Sequence, residues 1–120
     1  MPARLRPADP TDVADALTRV AAGSADRVDL RLLTKHYLAL LEQRAPGRSV
    51  EVRVPPYAAV QCVEGVRHTR GTPPAVVETD AETWIALATG RLTWTEAVAE
   101  HRVTASGERT DLTPYLPFEG

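Results

Sequence analysis

The chain has 120 residues, 43% of them apolar and 25% charged, and a formal net charge of -2. That length suits one domain with a single modest core. The composition is that of globular proteins rather than disordered or fibrous ones, and a net acidic chain carries no basic field for nucleic acid. Cys62 is the one cysteine, which excludes an internal disulfide and a zinc site built on cysteine pairs.

The charge is unevenly spread. Residues 1–71 carry 11 basic and 8 acidic groups, a net of +3, whereas residues 72–120 carry 3 and 8, a net of -5, which implies a polarised surface. Lys35 is the sole lysine among 14 basic residues, and with frequent Ala, Val and Pro this bias points to a GC-rich bacterial genome. The first twenty residues hold acids and prolines where a signal peptide would need an apolar core. No window reaches the ~20 apolar residues of a membrane span. A cytoplasmic protein with no transmembrane segment is expected.

In chain order, Pro2, Pro7 and Pro10 make residues 1–10 irregular, and Thr11 or Asp12 offers a cap for a short helix with Val13, Ala16, Leu17 and Val20 at helical spacing, ending near Gly23. Asp29 can cap a longer helix whose Leu30, Leu33, Tyr37, Leu40 and Leu41 share a face, until Pro46-Gly47 stops it. Val50, Val52 and Val54 alternate with Glu51 and Arg53, the two-residue period of a half-buried strand, and Pro55-Pro56 ends it. Tyr57–Val63 is apolar on both faces except for Gln61, which predicts a central second strand. The polar, Gly- and Pro-rich run Glu64–Pro74 is a loop, and Ala75–Glu78 a third strand. Two strands joined by such a loop can still pair antiparallel.

Thr79-Asp80-Ala81-Glu82 and Thr93-Trp94-Thr95-Glu96 both have capping-box spacing, so two helices start there. Gly90 can end the first in the left-handed conformation, with Trp84, Leu87 and Ala88 on one face, and the second places Trp94, Ala97 and Val98 together. Val103–Ala105 is a short strand, Ser106-Gly107-Glu108 a turn, and Asp111 can cap a last helical turn bearing Leu112, Tyr115 and Leu116. The order is ααβββααβα, an α+β domain spanning residues 1–120 in which helices cover a small sheet of four to five strands.

Residues 29–118, and above all ETDAETWIALATGRLTWTEAV and HRVTASGERTDLTPYLPF, resemble the sterol carrier protein-2 (SCP-2) family. The closest likeness is to its compact bacterial branch, with a VEVRVPP-type strand at Val50–Pro56, a HTRGTPP-type loop at His68–Pro74 and a closing YLP run at Tyr115–Pro117. The resemblance implies a non-catalytic carrier with an apolar tunnel between sheet and helices that holds an acyl chain or another lipid, without a cofactor. Trp84, Leu87, Ala97, Val98, Leu112 and Leu116 would line the tunnel, and His68 and Arg70 would meet a polar end.

Other readings of the same residues stand beside this one. The run Arg67–Gly71 gathers charge and donors that suit a carboxylate or phosphate, or it is a solvated loop braced by arginine. His36, His68 and His101 lack metal-ligand spacing, and Cys62 with His68 as nucleophile and base competes with Cys62 as a small core residue. Trp84 and Trp94 are tunnel walls or plain core. The alternative to a carrier is an interaction module with a filled core, whose acidic closing half or HTRG loop docks a protein partner or a second copy.

Overall fold

The computed structural model describes residues 5–65, 75–107 and 110–118. Helix α1 spans Pro10–Ala21 and is capped by Asp9, whose carboxylate accepts from Thr11 N, with Pro10 at the first helical position. The cap is Asp9 rather than Thr11 or Asp12 because proline's fixed φ and missing N–H suit the first turn, so Pro10 starts the helix instead of preventing it. Helix α2 spans Arg27–Arg44 and is capped by Asp26, not Asp29. Asp29 sits three residues in and completes a capping box with Asp26, while its two oxygens receive Arg19 Nε and Nη2, both at 2.8 Å. That pair locks α1 to α2.

The Arg19 hydrogen bonds hold the Asp29 carboxyl below the usual carboxylate range, against the opposing effect of burial. Because its folded-state pKa is depressed, the carboxylate contributes stability above its unfolded value of ~3.9 and loses it as pH falls through the lower folded value. Asp29→Asn is therefore expected to lower Tm at neutral pH, and the gap between variant and parent should narrow as pH falls below about 4. Thermal unfolding of both proteins across that range checks it.

Strands β1 (Val50–Val54), β2 (Ala58–Cys62), β3 (Ala75–Thr79) and β4 (Val103–Ser106) form one mixed sheet in the order β2-β1-β3-β4. β1 pairs antiparallel with β2 and parallel with β3, and β3 pairs antiparallel with β4. β2 is thus an edge strand, not a central one, and β3 joins β1 rather than β2. Ala59 is apolar by type but exposed beside Gln61, so the second face of β2 meets solvent. The small Ala59 on that face hid its alternation. Val50, Val52 and Val54, with Val60, Cys62, Ala75 and Val77, make one buried face, while Arg53, Gln61 and Glu78 stand exposed on the other.

α2 packs on the buried face, and α1 and α3 (Ala81–Thr89) pack on α2. Leu33, Tyr37, Leu38 and Leu41 of α2 are wholly buried, with Leu30 and Leu40 half-buried at the margins. α3 is capped by Asp80, whose carboxylate accepts from Thr83 N at 2.8 Å. Thr79 stays in β3, its hydroxyl donating to Arg102 O, and so leaves the cap to its neighbour. Gly90 ends α3 at φ 81 as expected. α4 (Trp94–Ala99) carries the predicted capping box of Thr93 and Glu96. In so short a helix only Ala97 is fully enclosed, Trp94 is half-buried and Val98 is 46% exposed, so the three do not share one buried face. The last turn, Thr113–Tyr115, is a 3-10 turn rather than an α-helix, with Asp111 accepting from Thr113 N.

Candidate functional site

Residues 110–118 form a strap that joins the C-terminal ends of α2 and α3. Phe118 N donates to Ala88 O at 2.9 Å. Arg44, at the end of α2, donates through Nη1 to the carbonyls of Tyr115 (2.9 Å) and Pro117 (3.1 Å), and its guanidinium lies 4.9 Å from the centre of the Phe118 ring. Arg44 therefore holds strap backbone and strap side chain together, with both charge-assisted hydrogen bonds and cation–π attraction.

Under the strap runs an aromatic seam. The Phe118 ring stacks on Tyr37 at 5.9 Å with planes 11° apart, and Trp84 meets Phe118 edge-on at 6.1 Å. Both geometries suit the ring quadrupoles. Trp84 Nε1 donates to Thr34 O at 3.3 Å, so the indole is both buried and oriented. The hydroxyl of Thr34, wholly buried, has no hydrogen-bond partner among the described residues.

The residues expected to line a tunnel are partly gathered here. Trp84 and Leu112 belong to the central apolar cluster, and Leu116 packs against it half-buried. Leu87 and Ala97 are fully buried on α3 and α4, outside that cluster. Val98 faces solvent on α4. His68 and Arg70 lie outside the described residues. Tyr37, Phe118 and Arg44 belong to the seam but carry no sequence signal linking them, since their partners lie 34 to 81 positions apart; that Phe118 is the one phenylalanine was the sole hint.

Burial pushes the Cys62 thiol up to about 12, with the charge of Glu42 adding to the effect. A thiolate is the reactive form, so this cysteine is inert as a nucleophile at neutral pH. A thiol reagent is expected to label Cys62 only under denaturing conditions, and rapid native-state labelling would contradict its enclosure in the sheet face. Among the described residues no cluster of three or more His, Cys, Asp or Glu is arranged to hold a metal, and no helix is long and apolar enough to cross a membrane.

Three cavities open elsewhere on the described surface. One of about 440 Å³ lies between the α1–α2 connection and α3, with Leu30 and Ile85 in its lining, one of about 620 Å³ lies between the first turns of α2 and the β1–β2 connection, and one of about 300 Å³ lies along α2 beside the segment that precedes α1. Neither Tyr37 nor Phe118 lines any of these three.

No curated protein matches the chain. A family model described as a bacterial SCP ortholog matches residues 26–118, which include α2, the whole sheet, α3, α4 and the strap. With more than three quarters of its length matched, the chain belongs to the bacterial SCP ortholog family, an SCP-2-like family.

Proposed function

We propose that this protein is a non-catalytic carrier of an apolar small molecule, an acyl chain or another lipid, held between the sheet and the helices. Family membership over residues 26–118 is the observation that carries the reading. The aromatic seam supplies the entry. In this reading the acyl chain displaces Phe118 from its place beside Tyr37 and Trp84 and then lies along Leu87, Ala97, Leu112 and Leu116, with Val98 at the rim and His68 and Arg70 toward a polar end. Fifteen buried methylenes at ~0.8 kcal/mol each supply about 12 kcal/mol, and after an association cost of ~4 kcal/mol and ~1 kcal/mol for displacing Phe118 the remainder corresponds to a Kd of about 10 µM. No special polar contact is required.

Phe118 is half-buried, so displacing it re-exposes part of its ring at a cost of about 1 kcal/mol, below the range for a fully buried ring. Phe118→Ala removes that cost and is expected to tighten palmitate binding about fivefold, while lowering Tm through lost packing. Calorimetric titration of palmitate into parent and variant measures it. Equal or weaker binding by a folded variant would exclude the seam as the entry. No binding by either would exclude carriage of a free acyl chain.

A further inference from the structure

Four cations that form no ion pair among the described residues surround the outer face of α2. Arg27, Arg31 and Lys35 recur every four residues and so stand in one row along α2, with Arg27 and Arg31 exposed and Lys35 half-buried. Arg6 comes from the segment preceding α1, which is tied down where Ala8 N donates to His36 Nδ1 at 2.9 Å. Two cavities open on this row. The larger, about 620 Å³, is lined by Arg27, Val28, Arg31, Pro56 and Tyr57, and the smaller, about 300 Å³, has Arg6, Arg31, Lys35 and His36 in its wall. They share Val28 and Arg31, and neither lining contains an acid.

This arrangement is electrostatically unfavourable by itself. Like charges four apart on a helix repel, and Arg27 occupies the first position of α2, where the helix dipole favours anions over cations. A bound anion relieves both. Two guanidiniums one turn apart present paired donors that match a tetrahedral oxyanion, which arginine binds in bidentate fashion. The remaining wall is apolar and aromatic: Val28 is 71% exposed and Pro56 and Tyr57 flank it. A bare ion would leave that wall unused. The concavity has the volume of a small-molecule site rather than the convexity of a surface that lies on a bilayer.

We propose that this face of α2 binds a phosphate ester, with the phosphate between Arg27 and Arg31 and the organic body against Val28, Pro56 and Tyr57. The site is independent of the acyl-chain reading, because none of Tyr37, Trp84 and Phe118 lines either cavity. The ester can be a free small molecule or a lipid head group, and the test separates these sources.

Phenyl phosphate titrated into the protein, followed by the Nε–Hε NMR resonances of arginine, is expected to shift Arg27 and Arg31. The single variants Arg27→Gln and Arg31→Gln should each weaken binding about tenfold. Arg53→Gln, on the exposed sheet face, should leave it unchanged. In parallel, co-sedimentation with phosphatidylcholine vesicles, with and without phosphatidylglycerol, identifies the source: retention on the anionic vesicles that is lost in Arg27→Gln assigns a lipid head group, and no retention assigns a free ester. The proposal is overturned if phenyl phosphate does not bind, if Arg53→Gln weakens it as much as the α2 variants, or if vesicles are retained without phenyl phosphate binding.

Discussion

Replacing Gly47 by Ala is expected to destabilise the fold by ~3 kcal/mol or more, a large share of the total stability of a domain this size. Gly47 has φ 152, and a Cβ there would fall inside the 3.0 Å that real Cβ atoms keep from the backbone of Val63 and Glu64. Val63 cannot readily yield. Val63, a β-branched residue held at φ 65, donates its N–H to Ala45 O at 2.7 Å, and its carbonyl accepts from Ser49 N at 3.1 Å and Ser49 Oγ at 2.6 Å. The chain leaving α2 and the chain leaving β2 are thus interlocked, and the strain at Val63 persists because these bonds hold it. Gly23 is the control: φ is 73 but nothing lies within 4 Å of its Cβ position, so Gly23→Ala should cost only the ~1–2 kcal/mol of a left-handed alanine. Urea unfolding of both variants measures the contrast, and similar losses would contradict the clash.

Trp84→Ala is expected to cost ~3–5 kcal/mol, the usual range for emptying a buried tryptophan site, and to lower Tm by roughly 10–20 °C. Trp84 is the largest fully buried side chain, with 1% exposure. Its loss also removes the hydrogen bond to Thr34 O and one wall of Phe118. Trp94 is only half-buried, so Trp94→Ala should cost less than half as much. Calorimetric unfolding of the two tryptophan variants checks the order, and equal losses would count against Trp84 as the centre of the core.

Most elements were legible in the sequence because each has a local cause. The alternation of Val50, Val52 and Val54, the Gly90 stop and the Thr93–Glu96 capping box all act within a few residues and reappear as expected. Caps misassigned by a residue or three have a common origin: at 9–12, 26–29 and 79–80 several capping residues compete. Tertiary contacts decide among them, as when Arg19 takes the Asp29 carboxylate or Arg102 O takes the Thr79 hydroxyl. Sheet order was not legible. Both faces of β2 read apolar, and nothing local specifies that β3 aligns parallel to β1 through the register Val50↔Ala75 and Val52↔Val77.

Of the candidate site, what was legible is which helical positions are buried. Trp84, Leu87 and Ala97 sit where helical spacing puts them, on buried faces of α3 and α4. Arg44 and Phe118 escaped notice because they are remote from each other in sequence, and the Arg44 bonds run to backbone carbonyls, which carry no sequence signature.

The carrier reading is tested most directly by native mass spectrometry of gently purified protein, followed by organic extraction and identification of what is released. A stoichiometric apolar adduct, lost on extraction and restored by palmitate, is the expected result. A bare mass that stays unchanged after incubation with palmitate and phospholipids would contradict carriage and favour an interaction module with a filled core.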